Sequence, residues 1–109
     1  MDMRTPSMPQ TLRVHARAPG VTQITMAREA VFNAFDERMI QELDAVFAQL
    51  EADEAVRVIV LAGEGKHFSA GADLQWMKRA SQATHAWNLD DARRFANMLS
   101  RIERCPKPT

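Results

Sequence analysis

The sequence has little cysteine, no net charge and no long apolar run. Its one cysteine, Cys105, cannot form a disulfide within the chain, which is typical of a reducing cytosol. The 14 basic and 14 acidic side chains cancel, so nothing indicates nucleic acid or an anionic membrane as a partner. No segment approaches the roughly 18 apolar residues of a membrane span, and the opening MDMRTPSMPQ lacks the apolar core of a secretory signal. We therefore expect a cytoplasmic protein with neither a nucleic acid nor a membrane as partner.

The length and the apolar pattern predict one α/β unit. A chain of 109 residues holds at most one domain. We expect residues 1–10 to form a flexible tail and residues 11–109 to fold. Alternating apolar residues on both sides of Pro19-Gly20 predict a β-hairpin within residues 11–26.

Two amphipathic helices and a further strand follow the hairpin. Asp36 is expected to cap a helix with one apolar face, made of Phe35, Met39, Leu43, Val46, Phe47 and Leu50. The run VRVIVLA, residues 56–62, does not alternate, which predicts a strand covered on both faces. A last helix is expected from about Trp87 to Glu103, with an apolar face made of Ala92, Phe95, Leu99 and Ile102. A buried strand of this kind needs more neighbours than this chain supplies, so we expect the chain to be part of a larger domain.

The segment KHFSAGADLQWM, residues 66–77, places a glycine loop between the apolar strand and a helix. A phosphate-binding loop would need glycine at position 60 and a hydroxyl at position 67, where the sequence has Val60 and His67. The dinucleotide-binding pattern fails at Phe68, which stands where its third glycine belongs. Asp73 is suited to cap the following helix, which would leave the backbone N–H of Ala72 unpaired at the helix start. Such an amide can polarise a carbonyl oxygen, although a simple strand-to-helix turn would explain the same residues.

Other chemically capable residues have plainer explanations. The acidic cluster Glu51, Asp53 and Glu54 is interpreted as a solvated helix exit rather than a metal or acid–base site. His67 is interpreted as a surface histidine, and Cys105 as an unreactive thiol. Trp76 and Met77 could line an acyl pocket or pack in the core. Asp90-Asp91 is expected to begin the last helix.

The motifs taken in order resemble the crotonase (enoyl-CoA hydratase/isomerase) superfamily. The resemblance rests on NAF at residues 33–35, on VRVIVLAGEGKHFSAGADL at residues 56–74, and on CPKPT at the end. It covers nearly all of the chain after residue 10 and corresponds to the amino-terminal part of these proteins. NAFDE together with FSAGADLQWM most resembles the methylglutaconyl-CoA and isohexenylglutaconyl-CoA hydratases of leucine and acyclic-terpene breakdown.

The resemblance implies a fold and a set of site residues. The fold is the crotonase-like ββα superhelix (ClpP/crotonase fold), here its amino-terminal portion. Ala72 would be the catalytic residue, because its backbone N–H corresponds to one of the two oxyanion-hole donors. Residues in contact with coenzyme A would be Phe32, Ala34, Ala70, Ala72, Asp73 and Leu74. The ligand would be an acyl-CoA thioester substrate, with no tightly bound cofactor, no metal, and assembly as a homotrimer or a dimer of trimers.

Two departures from the family pattern limit what these residues can do alone. Met26-Ala27-Arg28-Glu29 stands where Asn-Arg-Pro-Glu is usual, and the missing proline predicts a looser loop. The second oxyanion donor and the catalytic glutamates of the family lie beyond the KPT segment. An isomerase, thioester hydrolase or dehalogenase therefore stays open beside a hydratase, as does a non-catalytic crotonase-like binding protein. Outside the family, a nucleotide-binding α/β module is the remaining alternative, which the failed glycine motifs disfavour.

Overall fold

The computed structural model describes residues 8–109 of the chain. The tail predicted for residues 1–10 therefore lies mostly outside the described residues. The end of that segment is tied to the folded part, since the backbone N–H groups of Gln10 and Thr11 donate to the Glu42 carboxylate at 2.9 and 2.8 Å.

The described chain forms three strands and three helices. In chain order they are β1 (Leu12–Ala18), β2 (Val21–Met26), α1 (Glu37–Ala52), β3 (Val58–Gly63), α2 (Leu74–Gln82) and α3 (His85–Glu103), with a short 3-10 turn at Glu29–Val31. The sheet order is β1-β2-β3. β1 and β2 pair antiparallel through the predicted hairpin, and α1 carries the chain back so that β3 runs parallel to β2. The predicted α/β class and hairpin are confirmed.

Helix α1 forms where its sequence predicts and supplies most of the core. Asp36 caps it, because the Asp36 side chain accepts a hydrogen bond from Met39 N–H at 2.9 Å. Five of the six residues predicted for its apolar face are buried, and the sixth, Phe35, packs against them half-buried. Ile40 is also buried, which the sequence pattern did not include.

Strand β3 departs from its prediction. Only Ile59 is buried, and the other five residues of β3 are half-buried. Within residues 8–109, β2 is the one strand that pairs with β3. A single additional hydrogen bond, from Ile59 N–H to the Pro108 carbonyl at 2.9 Å, reaches its other edge. Coverage of β3 on both faces is therefore wrong for the described part of the chain.

The predicted apolar face of α3 is confirmed in part, since Phe95 and Ile102 pack half-buried against the core. Asp91 and Met98 are buried, whereas Leu99 is 47% exposed and Ala92 is exposed. Arg101 fixes this rotation, since its guanidinium donates to Asp44 and Glu51 of α1 at 2.9 and 2.8 Å. The helix begins at His85, capped by Thr84, so Asp90-Asp91 lies inside the helix and not at its start.

Among residues 8–109, no helix combines the length and the apolar character that crossing a bilayer requires.

Candidate active site

The site is built where two chain segments run side by side. The first is the connector between β2 and α1, residues 27–36, and the second is the loop between β3 and α2, residues 64–73. Phe35 N–H donates to the Gly71 carbonyl at 2.7 Å, and Asp73 N–H donates to the Phe35 carbonyl at 2.8 Å. Ala70 N–H adds a third bond, to the Phe32 carbonyl at 2.9 Å. These three bonds hold the Gly71–Asp73 turn against the connector.

Gly71 is needed for its backbone conformation. Its φ is +99°, a region that side chains rarely allow, while a Cβ placed on it would meet nothing within 4 Å. The Ser69 hydroxyl supports this conformation, because it accepts from Gly71 N–H at 3.1 Å and donates to the Asn33 carbonyl at 2.8 Å. Glycine is therefore required here because of the backbone conformation of the turn, and not because a side chain would collide with a neighbour.

Asn33 connects the two segments through its side chain. It is fully buried and adopts a left-handed conformation with φ of 57°, which asparagine tolerates better than most residues. Its amide nitrogen donates to the carbonyls of Glu64 and His67 at 2.9 and 2.8 Å. Its amide oxygen accepts from Arg28 N–H at 2.9 Å. One side chain thus satisfies three backbone groups that burial would otherwise leave unpaired.

Arg28 lies near the start of the connector and joins several of its parts. Its guanidinium donates to the Ala34 carbonyl and to Asp73 Oδ2, the latter at 3.0 Å, and lies 3.3 Å from Asp36 Oδ2. Asp36 and Asp73 are the N-caps of α1 and α2, so one cation joins the starts of both helices. The loop that lacks the family's proline is held by these hydrogen bonds, and its looseness relative to a loop with the proline stays a prediction.

Asp73 is buried, and both oxygens of its carboxylate accept hydrogen bonds. Oδ1 accepts from the backbone N–H groups of Gln75 and Trp76 at 2.7 and 3.1 Å. Burial by itself would raise the pKa of this carboxyl. The hydrogen bonds from Trp76 N–H, Arg28 and Gln75 N–H outweigh burial and hold the pKa below its ordinary value. The predicted capping role of Asp73 is confirmed.

The backbone N–H of Ala72 has no acceptor among residues 8–109, and the residue is exposed. It stands one residue before the cap of α2, where the positive end of the helix dipole lies. The parallel bridge between Phe35 and Ala72 fixes its position. A free, oriented amide in this place can donate to an oxygen that gains negative charge during a reaction.

The structure divides the predicted coenzyme A contacts into two groups. Ala70 and Ala72 are exposed, and neither carbonyl accepts a hydrogen bond from residues 8–109. Phe32 and Leu74 are 55% and 78% exposed. Ala34 and Asp73 are each 5% exposed, and their oxygens are already bonded to Arg28 and to α2. All six lie on the paired connector and loop or at the start of α2, and their contact with coenzyme A stays a prediction.

A small pocket of about 170 Å³ lies beside these residues. It is lined by Glu29, Phe32, Glu64, Lys66 and His67. The His67 ring meets the Phe32 ring edge to face, with centroids 4.9 Å apart, and His67 is exposed as predicted. A larger groove of about 570 Å³ lies between β1 and α1, and none of the predicted site residues lines it.

Trp76 and Met77 separate into different roles. Trp76 is buried, its indole N–H donates to Asp91 Oδ2 at 2.8 Å, and its ring packs edge to face on Phe95. Met77 is 53% exposed. Trp76 is therefore a core residue, and only Met77 presents apolar surface. Cys105 is half-buried against the core.

Sequence reasoning missed Arg28, Asn33 and Ser69 as parts of this site. Asn33 and Ser69 lie within motifs that the sequence already singled out, so those motifs were the available signal. Arg28 was noted only as part of a departure from the family pattern. Among residues 8–109 no cluster of three metal-binding side chains occurs.

Comparison with known proteins gives the family. The profile of the family described as enoyl-CoA hydratase/isomerase matches residues 16–109. The chain belongs to the enoyl-CoA hydratase/isomerase family. The predicted membership of the crotonase superfamily is thereby confirmed.

Relatives and solved structures of this family agree with the fold. The human mitochondrial Delta(3,5)-Delta(2,4)-dienoyl-CoA isomerase is 32% identical over 107 residues, covering 91% of this chain and 33% of its own length. The crystal structure of an enoyl-CoA hydratase from Shewanella pealeana matches with a TM-score of 0.88 and 37% identity, covering 93% of this chain and 38% of that one. An enoyl-CoA hydratase structure from Mycobacterium smegmatis matches with a TM-score of 0.81 and 34% identity, covering 90% and 37%. The predicted crotonase fold is confirmed as part of that fold.

The enoyl-CoA hydratase/isomerase relatives are much longer than this chain. It spans 26%, 29% and 33% of the length of three curated relatives. The region held in common contains the paired connector and loop described above. Relatives of both reaction types, hydratase and isomerase, match this same region.

Proposed function

We propose that this chain provides one of the two oxyanion-hole donors and part of the coenzyme A surface of an acyl-CoA enzyme. Its reaction would be hydration of an α,β-unsaturated acyl-CoA thioester, of the methylglutaconyl-CoA type. The observation that carries the proposal is the backbone N–H of Ala72, which has no acceptor among residues 8–109 and precedes the capped start of α2. The carbonyls of Ala70 and Ala72, which accept no hydrogen bond from residues 8–109, would form the coenzyme A surface together with the exposed side chains of Phe32 and Leu74.

The chemistry assigns a definite task to the Ala72 amide. When water adds to an enoyl thioester, the hydroxyl group bonds to the β-carbon and a proton is delivered to the α-carbon. Negative charge collects on the thioester oxygen between these events. An amide already oriented toward that oxygen stabilises the charge without further reorganisation. Activating the water and delivering the proton require carboxylates, which we assign to the part of the family fold that these residues do not cover.

The first test removes the donor. In the protein with its complete family fold, Ala72→Pro deletes the N–H, and we expect the rate constant kcat to fall by about 10²–10³-fold. The loss of ultraviolet absorbance of the conjugated enoyl thioester measures the reaction. Ala72→Gly keeps the N–H and is the matched control, which should retain most of the activity.

Folding and activity must be separated in this test. Circular dichroism and coenzyme A binding of Ala72→Pro show whether the turn survives the substitution. A folded, ligand-binding Ala72→Pro protein with the wild-type kcat would refute the assignment of Ala72.

Isomerisation is the second candidate, because a dienoyl-CoA isomerase matches 91% of this chain. Both reactions need the same oxyanion donor, so Ala72 alone does not separate them. Mass spectrometry of the product does, since hydration adds the mass of one water and isomerisation adds none. Stoichiometric binding of acyl-CoA without turnover would instead identify a non-catalytic binding protein.

Assembly, pathway and location belong to the same proposal. We infer a homotrimer or a dimer of trimers, a role in leucine breakdown, and a cytoplasmic location with no resident cofactor. The exposed apolar side chains of Phe68, Leu74 and Met77 support burial of this region by further protein or by an acyl chain.

A further inference from the structure

Arg28 joins the connector to the starts of α1 and α2 through its guanidinium. Its side chain is 20% exposed, although a charged side chain is seldom this buried unless it is paired. Its partners are a backbone carbonyl and two carboxylates, and all three belong to the two segments that form the site. Among residues 8–109, Arg101 also bridges two carboxylates, but it joins α1 to α3 instead.

The first consequence of this arrangement is geometric. Arg28 bonds Asp73, the neighbour of Ala72 in sequence, and it also bonds the carbonyl of Ala34, the neighbour of Phe35. Phe35 in turn exchanges two backbone hydrogen bonds with the Gly71–Asp73 turn. The guanidinium therefore holds both sides of the bridge that places the Ala72 amide.

The second consequence is electrostatic. An oxyanion at the Ala72 amide would develop beside Asp73, the next residue in the chain. The carboxylates of Asp73 and Asp36 are both paired with the guanidinium of Arg28. Two unbalanced carboxylates would oppose that charge in a partly buried site. The single positive charge of Arg28 balances part of this negative charge.

We propose that Arg28 is a positioning residue for the oxyanion donor: it fixes the Gly71–Asp73 turn and balances the two carboxylates beside it. This inference rests on the proposed function for its effect on catalysis. Arg28 acts through Asp73 and the Phe35 bridge and does not itself touch the substrate.

The kinetic test uses the protein with its complete family fold. Arg28→Gln should lower kcat by about tenfold to hundredfold, the range expected when a reacting group is misplaced by about 1 Å. The KM should change less than about threefold, because Arg28 does not itself touch the substrate. Arg28→Lys keeps the positive charge but loses the planar guanidinium group. Its kcat should therefore lie between the kcat of the wild type and that of Arg28→Gln. Arg101→Gln is the matched control and should leave kcat unchanged.

A double variant isolates the charge effect. Asp73→Asn removes a carboxylate while keeping a good N-cap. Added to Arg28→Gln, it should restore part of the lost kcat, because the uncompensated charge is gone. A purely structural role for Arg28 predicts no such rescue, since the double variant would be less stable than either single one.

A hydrogen-exchange measurement gives a result that does not depend on turnover. In Arg28→Gln, the amides of Phe35 and Asp73 should exchange at least about tenfold faster, while the amides of α1 keep their protection. If the wild-type protein has no acyl-CoA activity, the proposed function fails, and the exchange result still decides whether Arg28 fixes the turn. Unchanged exchange at Phe35 and Asp73, a kcat within twofold of wild type, or a rise in KM at constant kcat would each overturn the inference.

Discussion

The carboxylate of Asp73 accepts hydrogen bonds from two backbone amides and one guanidinium. At the scale of single residues, these three bonds join Asp73 to the start of α2 and to Arg28 of the connector. Asn33 and Ser69 act in the same manner, each hydrogen-bonded to more than one backbone group of the site. The contacts of these three side chains in the site are hydrogen bonds and not apolar packing.

The depressed pKa of Asp73 predicts a pH-dependent stability. Near pH 4 the folded protein binds fewer protons at this group than the unfolded chain does, so stability rises with pH there. Its contribution is fully present above about pH 5 and is lost as the pH falls through and below about 4. We expect Asp73→Asn to lower the free energy of unfolding by about 1–3 kcal/mol at pH 7, with the difference shrinking toward pH 3.

Urea unfolding at several pH values measures this difference. Asn caps helices about as well as Asp, so the comparison isolates the charge and not the cap. A difference that stays constant from pH 7 to pH 3 would contradict the assignment.

At the scale of elements, α2 depends on a few anchors. It has nine residues, which is too short to be stable alone, and only Trp76 in it is buried. Asp73 holds its start, and Arg79 pairs with Glu37 of α1. The indole N–H of Trp76 fastens it to α3 through Asp91. Because the Ala72 amide precedes α2, these anchors also determine where the amide lies.

The hydrogen bond of Trp76 gives a prediction at this scale. Trp76→Phe leaves the buried carboxylate of Asp91 without its 2.8 Å donor, and we expect a loss of about 1–3 kcal/mol in stability, beyond the effect of lost volume. Trp87→Phe is the control, because Trp87 is half-buried and its indole makes no hydrogen bond among residues 8–109. Thermal unfolding of both variants makes the comparison. Equal losses would show that the Asp91 bond contributes nothing.

At the scale of the whole molecule, the described chain exposes apolar side chains around one loop and one edge of its sheet. The sheet has three strands, with β3 bonded on its outer edge only through Ile59. Phe32, Phe68, Leu74 and Met77 are all more than half exposed. Apolar side chains exposed in this number near one loop indicate a surface that is covered in the functional protein.

The partial coenzyme A surface that we propose predicts weak ligand binding by the 109-residue chain. We expect coenzyme A to bind with a Kd of about 1 mM or weaker, which corresponds to about 4 kcal/mol. Isothermal titration calorimetry measures the affinity, with a full-length member of the family as the positive control. A micromolar Kd for the 109-residue chain would show that the site is more complete than we propose.

Local signals were sufficient for much of the fold and for the helix caps. The hairpin, the cap at Asp36 and the cap at Asp73 follow from turn chemistry and from side chains that reach backbone groups within three residues. The face of α3 followed only in part, because its apolar residues allow two nearby rotations. The choice between them is made by Arg101 and by the Trp76–Asp91 bond, which join residues far apart in sequence.

The sequence by itself determined the family, the order of the elements and the place of Ala72 at a helix start. These depend on short-range patterns, which act before the chain has collapsed. Only the tertiary structure brought Arg28 to Asp73, across 45 positions of sequence, and paired Phe35 with the turn. The reason is physical: a buried guanidinium takes whichever carboxylates and carbonyls the fold brings near, and no local pattern specifies those partners.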